Sequence, residues 1–329
     1  MDSSENTAAR ARELVSVLMP CYNEEANIPR LAERLGAVMD AFPAYEWEAI
    51  LVNDGSTDAS LVEMRRLHAA DPRFRYIDLS RNFGKETAML AGMDHARGDC
   101  LIIMDSDLQH PPEIIPEMLA LWEDGYDDVY AKRRTRGKEP WLRKKLSLAY
   151  YSLLQTTTRI PVLQNCGDFR LLDRMVVDAL CTMRETQRYT KSLYCQAGFR
   201  KKEVIFDQDD RLAGTSSMSA LRLVSLALEG ITSYTTAPLR LASVFGFIVS
   251  IVAFIYMAYV MVKAIAVGDP VAGFPSLMCV ILFLGGVQLI CLGIIGEYLG
   301  RIFIESKRRP PYFVREADGR KSRRNTPGE

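Results

Sequence analysis

The sequence predicts an α/β domain on a mostly parallel sheet, followed by two membrane-spanning helices. Three observations predict it. Short apolar runs alternate with amphipathic stretches from about residue 15 to 131. A polar cluster follows each of the first four runs, and two later segments of about 22 residues carry no charge.

Residues 15–19, 49–52, 76–79, 101–104 and 129–131 are short, near-continuous apolar runs, the pattern of strands buried on both faces. Between them, 26–42, 60–70, 87–97 and 113–123 have helical periodicity. Alternation at this spacing implies a mostly parallel sheet with helices on both faces. Neither a GxGxxG after the first run nor a GxxxxGK[ST] occurs, so dinucleotide and P-loop sites are excluded. Residues 141–163 join Trp141, Arg143, Lys144 and Lys145 to an apolar-aromatic stretch. That pattern fits a helix in the headgroup layer or an ordinary surface helix, and 218–234 reads the same way.

Residues 241–262 and 274–295 are uncharged and long enough to cross a hydrocarbon core of about 30 Å. Arg240 precedes the first, and a basic run including Arg301, Lys307, Arg308 and Arg309 follows the second. The positive-inside rule then puts both long ends in the cytoplasm, with the catalytic part at the inner or plasma membrane. Residues 1–13 lack the apolar core of a signal peptide. Seven cysteines without a CxxC pair indicate reduced thiols. The chain of 329 residues has a formal charge of zero, which gives no sign of a nucleic-acid partner. Five regions are expected: a disordered 1–13, an α/β core 14–140, a juxtamembrane interfacial region 141–240, a transmembrane hairpin 241–300 and a basic cytoplasmic tail 301–329. Gly285, Gly286, Gly293, Gly296 and Gly300 would permit close helix packing in a homo-oligomer.

The polar clusters carry the chemistry. They are Pro20-Cys21-Tyr22-Asn23-Glu24-Glu25, Asn53-Asp54-Gly55-Ser56, Arg81-Asn82-Phe83-Gly84-Lys85 and Asp105-Ser106-Asp107-Leu108-Gln109. Following parallel strands, they would converge on one sheet edge, where ligands of open α/β sheets bind. Two carboxylates one residue apart can share a divalent cation with a diphosphate. Asp58 can bind nucleotide or cap the helix that follows it.

These motifs, with Asn165-Cys166-Gly167-Asp168-Phe169-Arg170-Leu171 and the final Gly-Glu-Tyr-Leu-Gly-Arg, resemble glycosyltransferase family 2. Within it the chain is most similar to polyprenyl-phosphate glycosyltransferases of the bactoprenol glucosyltransferase and dolichol-phosphate mannose synthase type. The resemblance implies a GT-A-type fold and a UDP-sugar donor held by Pro20, Tyr22, Asn23, Glu24, Asp54, Lys85, Asp105 and Ser106. It implies Mg²⁺ or Mn²⁺ on Asp105, Asp107 and Gln109, with Asp107 and Asp168 as catalytic residues. Arg133, Arg170, Arg211, Ser216 and Ser217 would grip the phosphate of a polyprenyl acceptor anchored in the bilayer. A phosphate monoester has a second pKa of about 6, so Asp168 is either a base or an orienting group.

The implied reaction is one inverting displacement, with glucose the leading sugar; N-acetylglucosamine, galactose, mannose and aminoarabinose derivatives remain open. Two departures from the family pattern stand out. Ser217-Met218 replaces a Lys-aromatic pair, and His110 stands where an acidic residue or Asn is frequent; it reads as a turn residue. A processive synthase would need a Gln-x-x-Arg-Trp motif, which is missing; a non-catalytic recruitment module is the rival from another class. Nucleotide binding is expected to survive removal of everything after Arg240.

Overall fold

The computed structural model describes residues 12–134, 166–186, 188–206 and 273–321, with scattered positions between 239 and 262. Two compact units are formed. The first takes the described parts of Met1–Ser147, Ile160–Ser216 and Pro310–Glu329, and the second those of Leu148–Arg159 and Ser217–Arg309.

In the first unit, strands β1 (Leu14–Cys21), β2 (Glu46–Asn53), β3 (Phe74–Leu79), β4 (Cys100–Ile103) and β5 (Asp128–Arg133) fall where the apolar runs predict them. Helices α1 (Ile28–Ala41), α2 (Ser60–Ala70), α3 (Lys85–His95) and α4 (Ile115–Glu123) separate them. Strands β6 (Cys166–Asp173) and β7 (Lys201–Phe206) flank two short helices, α5 (Arg174–Thr182) and α6 (Thr190–Gln196). The C-terminal segment adds β8 (Val314–Ala317) and β9 (Arg320–Lys321).

The nine strands run in the order β7-β5-β6-β4-β1-β2-β3-β8-β9. The central four, β4-β1-β2-β3, are parallel, so their C-terminal ends share one edge. The sheet as a whole is mixed, which corrects the mostly parallel expectation: β6 runs antiparallel to both β4 and β5, and β8 antiparallel to β3. A further parallel pair joins β5 to β7, and the mixed character comes from β6, which enters between β5 and β4, and from β8 beside β3. Within the basic tail, β8 and β9 close the β3 edge.

Alternation along the strands splits the core into two layers. Val15, Val17 and Met19 of β1 pack with Leu31 and Leu35 of α1 and Met118 and Leu119 of α4. Leu18, Ile50 and Val52 face the other way, onto Met89, Leu90 and Met93 of α3 and Val176 and Val177 of α5. Burying such a side chain contributes roughly 1.5–3 kcal/mol. At Gly92 an added Cβ would stand 2.0 Å from Leu18 Cδ1, so α3 lies hard against β1.

In the second unit, helix α7 (Phe274–Ser306) runs 33 residues, past the expected end of the second apolar segment. Its stretch Phe283–Ser306 is long and apolar enough to cross a bilayer, and it is the one such helix among the described residues. The described positions from 239 to 262 are helical, but most of the first expected span lies outside the described residues. So do both expected interfacial helices, 141–163 and 218–234.

Candidate active site

The four motif loops lie at the C-terminal ends of β1–β4 and are laced together through backbone groups. Asn23 adopts φ +57°. Its side-chain oxygen accepts the Thr57 N–H at 2.8 Å, and its own N–H donates to Ser56 Oγ at 3.0 Å. Asp58 settles as a brace: its carboxylate accepts the Ser60 N–H at the start of α2 and the Glu25 N–H. Its pKa falls below the usual carboxylate value because those hydrogen bonds outweigh its burial. Gly55 sits at φ +65° with Arg81 and Asn82 pressed against it; a Cβ there would come within 2.4 Å of their main chain.

The loop after β4 carries the carboxylates. Leu108 is buried in the core at φ +64°, an uncommon conformation for a residue with a Cβ. Its anchoring turns the chain so that Gln109 N–H donates to Asp107 Oδ1 at 3.1 Å. On the antiparallel β4–β6 pair, Ile103 stands opposite Arg170. Asp105 lies two residues past that pair, the last of the ladder, and Asp168 two residues before Arg170 on β6. Lys85, the first residue of α3, spans them: its Nζ lies 2.5 Å from Asp105 Oδ1 and 2.9 Å from Asp168 Oδ2.

The electrostatics follow from this cluster. Burial works against the Lys85 ammonium, but Asp105 and Asp168 outweigh it and raise its pKa above the usual lysine value. Burial would likewise raise Asp168; Lys85 outweighs it, and the carboxyl titrates below its ordinary range. Glu24 goes the other way, raised by burial and by the charges of Asp107 and Asp105. Asp168 Oδ1 is buried with no hydrogen-bond partner among the described residues. A positive group already rests between two carboxylates here, and one buried carboxylate oxygen is open, so the donor set suits a hard cation. Among the described residues no cluster of three or more carboxylate, His or Cys groups forms a closed metal cage. Mg²⁺ typically needs none, using one or two carboxylates plus substrate phosphates.

Several predicted site residues serve other ends. Asp54 is 3% exposed and accepts the Phe83 and Gly84 N–H groups at 2.7 and 2.9 Å, so it holds the Arg81–Lys85 loop. Ser106 is buried, and its hydroxyl donates to the Pro20 carbonyl. Tyr22 and Asn23 are exposed at the site's rim. Arg133 is half-buried at the end of β5.

Arg170 is a correction. It is 2% exposed, pairs with Asp128 at 3.0 Å and stacks on the Tyr194 ring, 3.6 Å from its centroid, which leaves no path to a lipid phosphate. Arg211, Ser216 and Ser217 lie outside the described residues.

Sequence reasoning missed Glu86, whose carboxylate accepts the Thr190 N–H at 2.9 Å and the Thr190 hydroxyl, tying α6 to the start of α3. Its place directly after Lys85 was the available signal. His110 was missed as well. It is 1% exposed, and burial holds its pKa below the usual histidine value.

Residues 16–181 match the glycosyl transferase family 2 model, and residues 237–302 match the GtrB C-terminal hairpin. An uncharacterized glycosyltransferase of Synechocystis is 42% identical over 93% of this chain and 96% of its own. The bactoprenol glucosyl transferase of Shigella phage SfV is 40% identical over 92% of this chain and 98% of its own. Among solved structures, glucosyl-3-phosphoglycerate synthase from Mycobacterium tuberculosis matches with a TM-score of 0.45 and 17% identity, over 68% of this chain and 79% of that one. With relatives of this identity along nearly its whole length, the chain belongs to glycosyl transferase family 2.

Proposed function

We propose that the protein transfers glucose from UDP-glucose to a polyprenyl phosphate at the cytoplasmic face of a membrane. The observation that carries this reading is 40% identity, across 92% of the chain, to enzymes named bactoprenol glucosyl transferase. The Asp105–Lys85–Asp168 cluster gives the name a chemistry. The lipid phosphate oxygen attacks the anomeric carbon, and the bond from that carbon to the β-phosphate oxygen breaks in the same step. UDP leaves on the opposite face, and the sugar's configuration inverts.

A divalent cation held by Asp105 and Asp107, with Gln109 beside them, would supply Lewis-acid stabilisation of the leaving diphosphate. Lys85 adds a second positive charge at the same place. Because the acceptor phosphate is largely ionised near neutral pH, Asp168 orients the acceptor rather than removing its proton. Arg133 and Arg211 are the remaining candidates for the acceptor phosphate, since guanidinium forks match its oxygens; Ser216 and Ser217 belong with them.

The match to the GtrB C-terminal hairpin over 237–302 supports a two-span anchor. Exposed Leu289, Ile290, Leu292, Leu299 and Phe303 on α7 call for apolar surroundings. A long-chain acceptor stays in the bilayer, so an enzyme anchored there meets its headgroup at the interface.

The test is transfer of label from a panel of UDP-sugars to undecaprenyl phosphate in vesicles, with Mg²⁺, Mn²⁺ or EDTA. Label in the lipid fraction from UDP-glucose alone, lost with EDTA, is the expected result. Transfer from a different sugar would reassign the donor. No transfer from any sugar would favour a non-catalytic recruitment role.

A further inference from the structure

Beyond the residues assigned above, the loop after β4 is held by a side chain to which neither the motif nor the family match gives a role. Met104 N–H still bonds in the sheet, to the Leu18 carbonyl at 3.0 Å. Asp105 is the next residue, and its N–H lies beyond Ile103–Arg170, the last pair of the β4–β6 ladder. Its acceptor is His110 Nδ1, at 2.9 Å. The Asp105 carboxylate oxygen nearest that nitrogen is 3.9 Å away, too far for a hydrogen bond, so the ring engages the main chain. The loop therefore closes on itself across five residues.

The same ring reaches the second carboxylate's strand. It stacks on Phe169, with centroids 4.8 Å apart and planes at 21°, and Phe206 closes its edge at 6.1 Å. Phe169 directly follows Asp168. One buried ring thus touches the main chain of Asp105 on one side and the neighbour of Asp168 on the other.

We propose that His110 is a positioning residue of the transfer reaction, which sets the spacing of Asp105 and Asp168 about the donor diphosphate and its cation. Nδ1 must be unprotonated to accept the amide, so the proton sits on Nε2 and the ring is neutral. The proposal rests on Asp105 being a metal ligand. Groups that orient metal ligands typically change metal affinity by roughly 10- to 100-fold when lost.

The experiment measures Mn²⁺ affinity in the presence of UDP, by electron paramagnetic resonance, on the full chain in detergent. His110→Phe keeps the stacked ring and removes the acceptor; His110→Asn keeps an acceptor oxygen. The expected result is Mn²⁺ binding about 10-fold weaker in His110→Phe and close to normal in His110→Asn, with metal-free UDP binding unchanged in both. Equal affinity in His110→Phe and the parent, or equal loss in both variants, overturns the proposal.

Asp105→Asn separates the two readings. If it leaves Mn²⁺ affinity unchanged, the metal assignment itself fails; if it abolishes binding while His110→Phe does not, only the positioning role fails. A measurement without variants stands beside these. With three histidines in the chain, ¹⁵N-histidine labelling should show one ring with bare Nδ1 and protonated Nε2 that is shielded from solvent. A protonated Nδ1 on that ring also overturns the proposal.

Discussion

Asp105, two residues past the last β4–β6 pair, and Asp168 on β6 are bridged by the ammonium of Lys85, at 2.5 and 2.9 Å. The bridge is what holds the Asp168 pKa down against burial. A carboxyl with a folded-state value below its unfolded value of about 3.9 contributes stability that is complete above that pH and lost as pH falls through the folded value. Lys85→Met removes the opposing charge, so burial then raises Asp168. The acid limb of the pH–rate profile for transfer should move to higher pH in Lys85→Met, with a lower plateau. An unshifted limb would mean that Asp168 ionisation does not govern the rate.

Asp107→Asn should leave the fold intact and reduce transfer by at least about 100-fold, since Lewis-acid stabilisation supplies several kcal/mol and each 1.36 kcal/mol is tenfold. Added Mn²⁺ should not restore it. The comparison to make is initial rate against metal concentration for both proteins; parent-like turnover would remove Asp107 from the ligand set.

The first four strands were legible because each is a short apolar run that ends in a polar cluster. The contacts Asn23–Thr57 and Asp54–Phe83 verify the convergence that this pattern implies. Partners were not legible. Arg170 reads as a free cation in sequence, yet its counter-ion is Asp128, 42 residues away, on a strand brought alongside by the antiparallel insertion of β6. His110 looked like a turn residue beside two prolines, because its acceptor role depends on where the β4–β6 ladder ends. Glu316 and Asp318 sit in a run of basic residues that suggests a solvated tail, but their partners Arg65 and Arg75 line the β3 edge. The missed ion pairs concern charges whose partners are brought in by chain crossing rather than by local pattern.

Arg170→Ala should act on stability before it acts on the acceptor. The Asp128–Arg170 pair is nearly inaccessible, and burial already raises the Asp128 pKa. Removing one member of a buried pair typically costs about 3–5 kcal/mol, or about 6–20 °C in a domain of this size. Thermal melting should fall by that amount at neutral pH, whereas KM for lipid phosphate in the surviving folded enzyme should change little. A selective rise in that KM, with unchanged melting, would return Arg170 to the acceptor site.

Gly55→Ala tests the interlock of the second and third motif loops. A methyl group there meets the Arg81–Asn82 main chain at 2.4 Å while the backbone keeps φ +65°, so the loops must part. Because Asp54 clamps the same loop through Phe83 and Gly84, the expected effect is weaker UDP binding by isothermal calorimetry, by about tenfold or 1.4 kcal/mol. Unchanged UDP affinity would show that loop spacing does not matter to the donor.

Deleting residues 310–329 should destabilise the catalytic unit, although the sequence suggested that nucleotide binding needs nothing after Arg240. The β8 strand pairs with β3, and the Phe313 carbonyl accepts the Ser80 N–H at the mouth of the third motif loop. Arg315 donates to the Ser80 carbonyl at 2.6 Å and lies 3.4 Å from Asp78. Asp78 in turn accepts a hydrogen bond from Asn53, whose side-chain oxygen receives the Ser56 N–H in the second loop. Tyr312 is 4% exposed and donates to Asp94, while Asp318 completes the Arg75–Glu48 network inside the sheet. Loss of the buried side chains and ion pairs together should cost on the order of 3 kcal/mol, or about 6–12 °C. UDP affinity should fall with it, because two donor loops lose their brace. Arg315→Ala alone should reproduce part of the affinity loss with little change in melting. Full UDP affinity in the deletion would mean that β8 covers the sheet edge without reaching the donor loops.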